Sequence, residues 1–151
     1  MGILEELDRT RDETLRCFEL SDAELAATYA NGKWPVRYLL HHLADSETVL
    51  AERIRRILSE GRGVLWAFQQ DAWAKGLEYD TMPLALARDA FAAARAGTRY
   101  LATVHYERHG HLEWVHSEMG LRTLKDEFDK VAWHNEHHLA QIRTALSAAS
   151  G

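Results

Sequence analysis

The stretch TLKDEFDKVAWHNEHHLAQI, residues 123–142, decides how this chain folds. Its apolar residues recur every three or four positions, a spacing that predicts a helix with one buried face. Thr123 and Asp126 stand at the start of the pattern with the spacing of a loose capping box. We therefore expect a helix from Thr123 to about residue 148, and its buried stripe begins with Leu124, Phe128 and Val131.

Two histidines continue this stripe where further apolar residues are expected. His134 and His138 are four apart, so they share one face of the helix with Cβ atoms about 5–6 Å apart. Imidazoles so placed can bind one metal ion through Zn–N bonds of about 2.0–2.1 Å. The zinc-protease motif HExxH does not fit, because Asn135 stands where that motif has its glutamate and Glu136 points to the opposite, solvated side.

A third ligand is expected from the stretch WPVRYLLHHLADSETVL, residues 34–50. His42 lies beside the apolar stripe of this helix, whereas His41 lies about 100° further round and is expected to face outward. Three protein ligands leave coordination positions open to water or substrate, as is typical of a catalytic site. The pattern alone leaves a second interpretation open, in which these are ordinary core and surface histidines.

Four helical segments cover most of the chain, and no strand pattern of comparable strength competes with them. They are residues 3–20, 35–59, 83–104 and 123–148, and Ser21 with Glu24 predicts a short helical turn between the first two. Pro35 and Pro83 are each placed to open a helix, and Gly61 to end one. We expect an all-α four-helix bundle, one domain over residues 1–151 without a sheet, with extended connections at 61–82 and 105–122.

The 61–82 connection is too long for a hairpin and too apolar for a free linker. It carries Trp66, Phe68 and Trp73, which we expect to be largely buried where the segment covers the histidine end of the bundle. A cover that only closes one end of the bundle explains the same residues equally well.

Composition excludes several classes of protein. The 151 residues carry a net charge of −5 and show no basic stripe, so nucleic-acid binding is not expected. Cys17 is the only cysteine, which precludes an internal disulfide and is most simply explained by the cytoplasm. No apolar run approaches the roughly 20 residues of a membrane span, and the N-terminus lacks the apolar core of a signal peptide.

Two stretches resemble the DinB/YfiT-like superfamily. NGKWPVRYLLHHLADSE, residues 31–47, resembles its W-S-x6-H-L-x-D-x-E motif, and HSEMGLRTLKDEFDKVAWHNEHHLAQI, residues 116–142, resembles its H-P-x-x-G…T-L…W-H-x-x-H-H-x-x-x-I motif. The resemblance implies an up-down-down-up four-helix bundle and a divalent metal, zinc or nickel, held by His42, His134 and His138. The chain departs from the motifs at Pro35 and Ser117, and at Gln141, where a family member has a fourth histidine.

The resemblance also implies a metal-dependent enzyme, a thiol S-transferase or a hydrolase, that acts on a small molecule through a metal-activated thiol or water. A low-molecular-weight thiol is then a second expected cofactor. The alternative is a metal-binding sensor or structural module without catalysis. Either form is expected as a cytoplasmic homodimer.

Further site residues are expected around the metal. Asp45 and Ser46 flank the face of His42 and could orient it, and Glu47 and Asp71 are candidate general bases, although an ordinary solvated charge is the favoured interpretation of Glu47. Arg11 and Thr14 interrupt the apolar stripe of the first segment, and Gln141 lies one turn beyond His138. The predicted catalytic residues are thus Asp45, Glu47 and Asp71, and the predicted pocket-lining residues are Arg11, Thr14 and Gln141.

Overall fold

The computed structural model describes residues 2–150, most of which are helical. In chain order the elements are α1 (Ile3–Cys17), α2 (Asp22–Leu25), α3 (Val36–Glu60), β1 (Val64–Leu65), α4 (Gln70–Gly76), α5 (Leu84–His105), β2 (Glu113–His116), β3 (Gly120–Thr123) and α6 (Leu124–Ser150). Each of the four long helices coincides with a predicted segment, so the four-helix bundle is confirmed. No helix within residues 2–150 is long and apolar enough to cross a bilayer.

Local signals set the helix ends as the sequence predicts. Thr123 and Asp126 exchange two hydrogen bonds before α6, because the Thr123 N–H donates to Asp126 Oδ2 at 2.9 Å and the Asp126 N–H donates to Thr123 Oγ1 at 3.2 Å. Ser21 and Glu24 form the same reciprocal cap on α2. Gly61 ends α3 with φ of 75°, a left-handed conformation that favours glycine.

Contacts between the long helices show the direction of each one. The helices α1 and α6 run the same way, and α3 and α5 run opposite to both. The contacts that establish this are Arg9–Glu136 and Glu13–Arg143 for α1 with α6, Asp8–Arg99 and Phe18–Phe91 for α1 with α5, and His42–His134 and Arg53–Glu127 for α3 with α6. Residues 61–82 are therefore a crossover between two parallel helices.

The apolar core has two large clusters, one towards each end of the bundle, and a small third cluster of Ala44, Ala87 and Phe91. One large cluster includes Leu7, Ile54, Trp114, Phe128 and Val131. The other large cluster includes Cys17, Leu39, Leu43, Leu139 and Ile142. In α6 the residues between the two clusters are 133–138, which contain the predicted ligands, so the histidines lie in a polar layer across the middle of the bundle.

The expectation of no sheet is wrong. A three-stranded sheet lies beside the bundle, in which β1 pairs with β2 in parallel and β2 pairs with β3 in an antiparallel hairpin that includes Gly120 at φ of 80°. The strands have two to four residues each, too few to show an alternating pattern against the helical background.

The aromatic residues of the crossover behave differently from one another. Trp66 is 79% exposed, so the expectation that it is buried is wrong; its backbone carbonyl accepts a hydrogen bond from Arg53 while the ring faces outward. Phe68 and Trp73 are half-buried and pack edge to face, with ring centroids 4.9 Å apart. Phe68 also stacks on His42, with ring centroids 5.9 Å apart, so this part of the crossover covers the histidines as predicted, but at the middle of the bundle and not at its end.

Candidate metal centre

Three histidine side chains from two helices converge in the polar layer. Nε2 of His134 lies 3.1 Å from Nε2 of His42 and 3.1 Å from Nε2 of His138. Donors at 2.0–2.1 Å from a tetrahedral ion are roughly 3.3–3.4 Å apart, close to the spacing found here. Within residues 2–150 this is the one group of three or more histidine, cysteine or acidic side chains whose donor atoms come this close. The donor set and its spacing fit a divalent metal.

The environment keeps the three rings neutral, which is the form that binds metal. Burial, and then the charge of His138, lower the pKa of His42 to about 3. Burial, and then the charges of its two partners, lower the pKa of His134 to about 2. Burial also lowers the pKa of His138. At neutral pH each ring therefore carries a lone pair on one nitrogen.

Neighbouring side chains orient the rings. Nδ1 of His138 donates to Oε1 of Gln141 at 2.7 Å, which fixes the proton on Nδ1 and leaves the Nε2 lone pair directed at the other histidines. His42 is held between the edge of Trp34, at 5.4 Å, and the face of Phe68. Ser46 Oγ lies 3.4–3.5 Å from both nitrogens of His42. Gln141 thus accepts from the second nitrogen of His138 and fixes the orientation of the ring, a role that a carboxylate or carbonyl often has beside a metal-bound histidine.

His41 is not solvent-facing, so that expectation is wrong. It is 1% exposed and stacks on Tyr79, with ring centroids 5.0 Å apart. Tyr79 of the crossover packs against the side of α3 that carries His41. This side of α3, which the helical pattern predicted to face solvent, is therefore buried as well. Burial lowers the pKa of His41 to about 4.

The structure places the predicted carboxylates in three different settings. Asp45 accepts a hydrogen bond from the hydroxyl of the fully buried Tyr79. Glu47 is 3% exposed and paired with Arg95, so interpreting it as a solvated charge is wrong. Asp71 is exposed and lines a cavity with His134 and His138. Of the three, only Asp71 faces space that a small molecule could occupy beside the histidines, and its catalytic role stays a prediction.

The predicted pocket-lining residues also separate. Gln141 lies in the wall of the same cavity as Asp71. Arg11 instead pairs with Asp8 and Asp12 at the edge of α1, and Thr14 is buried as a hydrogen-bond acceptor for Asn135. Neither Arg11 nor Thr14 lines a cavity at the histidines, because Arg11 is paired along the edge of α1 and Thr14 is hydrogen-bonded inside the bundle.

A buried hydrogen-bond network centred on Arg95 was missed at the sequence level. Arg95 is fully buried and contacts all three other long helices. Its guanidinium donates to the carboxylate of Glu47 at 2.5 and 3.0 Å, to the carbonyl of Leu7 at 2.8 Å, to Thr10 Oγ1 at 2.9 Å and to Asn135 Oδ1 at 2.6 Å. The signal was a single cation on the stripe of α5 that otherwise holds Ala87, Phe91 and Ala102. The network holds Asn135, the residue after His134, by both ends of its amide, because Oδ1 accepts from Arg95 and Nδ2 donates to Thr14.

Two cavities open from the histidines. The larger cavity, of about 530 Å³, lies against His134 and His138, and its polar lining includes Tyr29, Lys33, Asp71 and Gln141. The smaller cavity, of about 280 Å³, lies against His42 and His134 between α3, α6 and the β2–β3 turn. Small molecules therefore have room on both sides of the point where the three Nε2 atoms meet.

Comparisons with known proteins agree with this geometry. The family model of the DinB superfamily matches residues 6–142. An Oceanobacillus iheyensis protein, provisionally named a metal-dependent hydrolase, is 34% identical over 133 residues, covering 87% of this chain and 76% of that protein. Bacillus subtilis YfiT, named in the same provisional way, is 28% identical over 137 residues, covering 87% and 74%. The solved YfiT structure, described as an unusual four-helix bundle, superposes with a TM-score of 0.88 over 98% of this chain and 86% of that chain, at 21% identity.

Proposed function

The chain belongs to the DinB superfamily, and on that basis we propose that it is a metal-dependent enzyme whose ion is held by His42, His134 and His138 and whose substrate is a small molecule. The observation that carries the proposal is the 3.1 Å spacing of the Nε2 atoms, with only three ligands from residues 2–150 and cavities on both sides. A divalent ion with open positions would lower the pKa of a bound water or thiol and so supply a nucleophile at neutral pH.

The residues around the ligands orient the histidine rings, exclude water and accept a proton. Gln141 holds the ring of His138, and Phe68 and Trp34 keep water from the faces of His42. Glu47 and Asp45 are held by Arg95 and Tyr79 and line neither cavity, so neither carboxylate reaches a nucleophile bound there. Asp71 is free to take up the proton of the nucleophile from the larger cavity.

Water is the first candidate for the nucleophile, because the similar proteins are provisionally named hydrolases. A low-molecular-weight thiol is the second. The larger cavity supports it, since about 530 Å³ with a lining that includes Lys33, Asp71 and Gln141 can hold a hydrophilic thiol beside His138. Imidazole ligands suit zinc and nickel alike.

Two panels of small molecules test the proposal. The zinc- and nickel-loaded full chain is assayed on activated esters and amides, and on an aryl halide with a series of low-molecular-weight thiols. We expect turnover on one panel, loss of at least about 100-fold in His138→Ala, and little change in His111→Ala, whose side chain is exposed and lines neither cavity. Stoichiometric metal binding with no turnover on either panel would favour the non-catalytic module instead.

A further inference from the structure

The smaller cavity beside His42 and His134 contains two cationic side chains. Arg53 and Lys130 line it from α3 and α6. Arg53 is 3% exposed, and its Nε has no hydrogen-bond partner within residues 2–150. Lys130 is half-buried and takes part in none of the salt bridges of the same residues. Both cations therefore keep hydrogen-bonding capacity next to the proposed metal ligands.

The carboxylates nearby do not neutralise this pair. Glu127 is buried and accepts from Arg53 at 3.3 Å, so one negative charge is shared between two cations. Asp126 caps α6, and Asp129 accepts the hydroxyl of Tyr106 at 2.6 Å. Glu118 lines the cavity but is exposed to solvent. Burial lowers the pKa of Lys130, as expected for an ammonium group that lacks full compensation.

A neutral donor completes the wall. Nδ1 of His116 accepts from the backbone N–H groups of Glu118 and Met119, both at 3.1 Å. The proton of the ring must then be on Nε2. Burial lowers the pKa of His116, so the ring is neutral and offers one N–H group. The end of β2 thus places a hydrogen-bond donor in the wall of the smaller cavity.

We propose that the smaller cavity binds an anionic group of the substrate, a carboxylate or a phosphate, between Lys130 and Arg53 with His116 as a further donor. As a statement about the substrate class, this rests on the proposed function. The anion would lie beside the face of the metal centre formed by His42 and His134, so the bond that reacts is close to the charged group. Substrates of this site are small organic anions.

An adjoining cavity has room for the rest of such a molecule. This tryptophan cavity, of about 440 Å³, shares His116, Met119 and Lys130 with the smaller one. The rest of its lining is Trp114 and Trp133 together with the charged residues Arg122, Asp126, Glu127 and Asp129. Because the two cavities share a wall, a molecule with its anion on Lys130 can extend an apolar or aromatic group towards the tryptophans.

Calorimetry with three matched probes tests the inference. Phenylacetate and phenyl phosphate carry the two anions, and phenylacetamide is the neutral analogue. The full chain is titrated with each probe, both zinc-loaded and metal-free, and compared with Lys130→Met and Lys130→Arg. Lys125→Met is the control, because Lys125 is on the same helix, pairs with Glu107 and lines neither cavity.

We expect at least one anion to bind in both metal states and to bind more tightly than the amide. Lys130→Met should weaken that binding by about tenfold or more, while Lys130→Arg and Lys125→Met leave it within a few-fold. The tighter of the two anions identifies the substrate class. Equal binding of anions and amide, or anion binding that Lys130→Met leaves unchanged, would overturn the inference. Because the readout is binding, a lack of turnover would count against the proposed function and not against this site.

Discussion

Nε2 of His42 lies 3.1 Å from Nε2 of His134, across the contact between the antiparallel helices α3 and α6. The two residues are 92 positions apart in sequence, so packing of the whole bundle is needed to bring them together. A metal bound at this point would tie the two helices to each other. Binding of the proposed metal would therefore be coupled to folding.

Metal removal should destabilise the protein. An ion present at about 100 times its dissociation constant stabilises the folded state by about 2.7 kcal/mol, provided that the unfolded chain does not bind it. We expect chelation to lower the free energy of unfolding in urea by about this amount. A His138→Ala chain should show no such difference between loaded and chelated samples, and equal responses of the two proteins would argue against the coupling.

Gln141 should matter for metal affinity although it is not one of the proposed ligands. Gln141→Leu removes the acceptor of the His138 Nδ1–H and should weaken metal binding by roughly 10–100-fold. Gln141→Glu keeps an acceptor and should stay near the wild-type affinity. Competition with a chromophoric chelator measures both, and the prediction fails if the two variants behave alike.

Arg95 should be a major determinant of stability. Arg95→Leu leaves the buried carboxylate of Glu47 unpaired, and we expect a loss of about 3–5 kcal/mol in the free energy of unfolding. Replacing both residues by leucine should recover much of that loss. Arg99→Leu is the matched control on the same helix, because its pair with Asp8 is more exposed and should contribute far less to stability.

An exposed row of apolar side chains on the small sheet is where we expect the two subunits of the predicted homodimer to meet. Val64 pairs with Val115 and Val115 with Leu121, so the three side chains form one row, and Val64 and Leu121 are each 56% exposed. Trp66 is two residues beyond Val64 and 79% exposed. We expect a dimer by sedimentation that Leu121→Glu converts to monomer. The control is Leu86→Glu, at a leucine of α5 that is 57% exposed; a dimer unaffected by Leu121→Glu would place the contact elsewhere.

Helical periodicity explains how much of this site could be predicted. His134 and His138 could be assigned to a buried face because one helix carries both, and His42 because it lies beside a clear apolar stripe. The helix boundaries followed from local caps at Ser21, Thr123 and Gly61. These signals all act over a few residues, which is the range that sequence patterns report.

The features that the sequence did not reveal depend on contacts between distant segments. His41 is buried because Tyr79 of the crossover packs on it. The strand β1 forms because the backbone at Val64 pairs with Val115, which is 51 residues away in sequence. Arg95 and Glu47 occupy the core as a pair, although each alone resembles a surface charge. Trp66 is the reverse case. Its backbone carbonyl accepts a hydrogen bond from Arg53, whereas its aromatic ring stays exposed to solvent.

The central claim is that His42, His134 and His138 bind one divalent ion, and metal analysis of two neighbouring variants tests it most directly. Wild type, His138→Ala and His137→Ala are loaded with zinc or nickel, desalted and analysed by elemental spectrometry. The account predicts about one ion per chain in wild type and in His137→Ala, and almost none in His138→Ala, because His137 is exposed and stacked on Trp133 whereas His138 is 8% exposed with Nε2 3.1 Å from that of His134. Full metal retention in His138→Ala, or loss of the ion in His137→Ala, would contradict it.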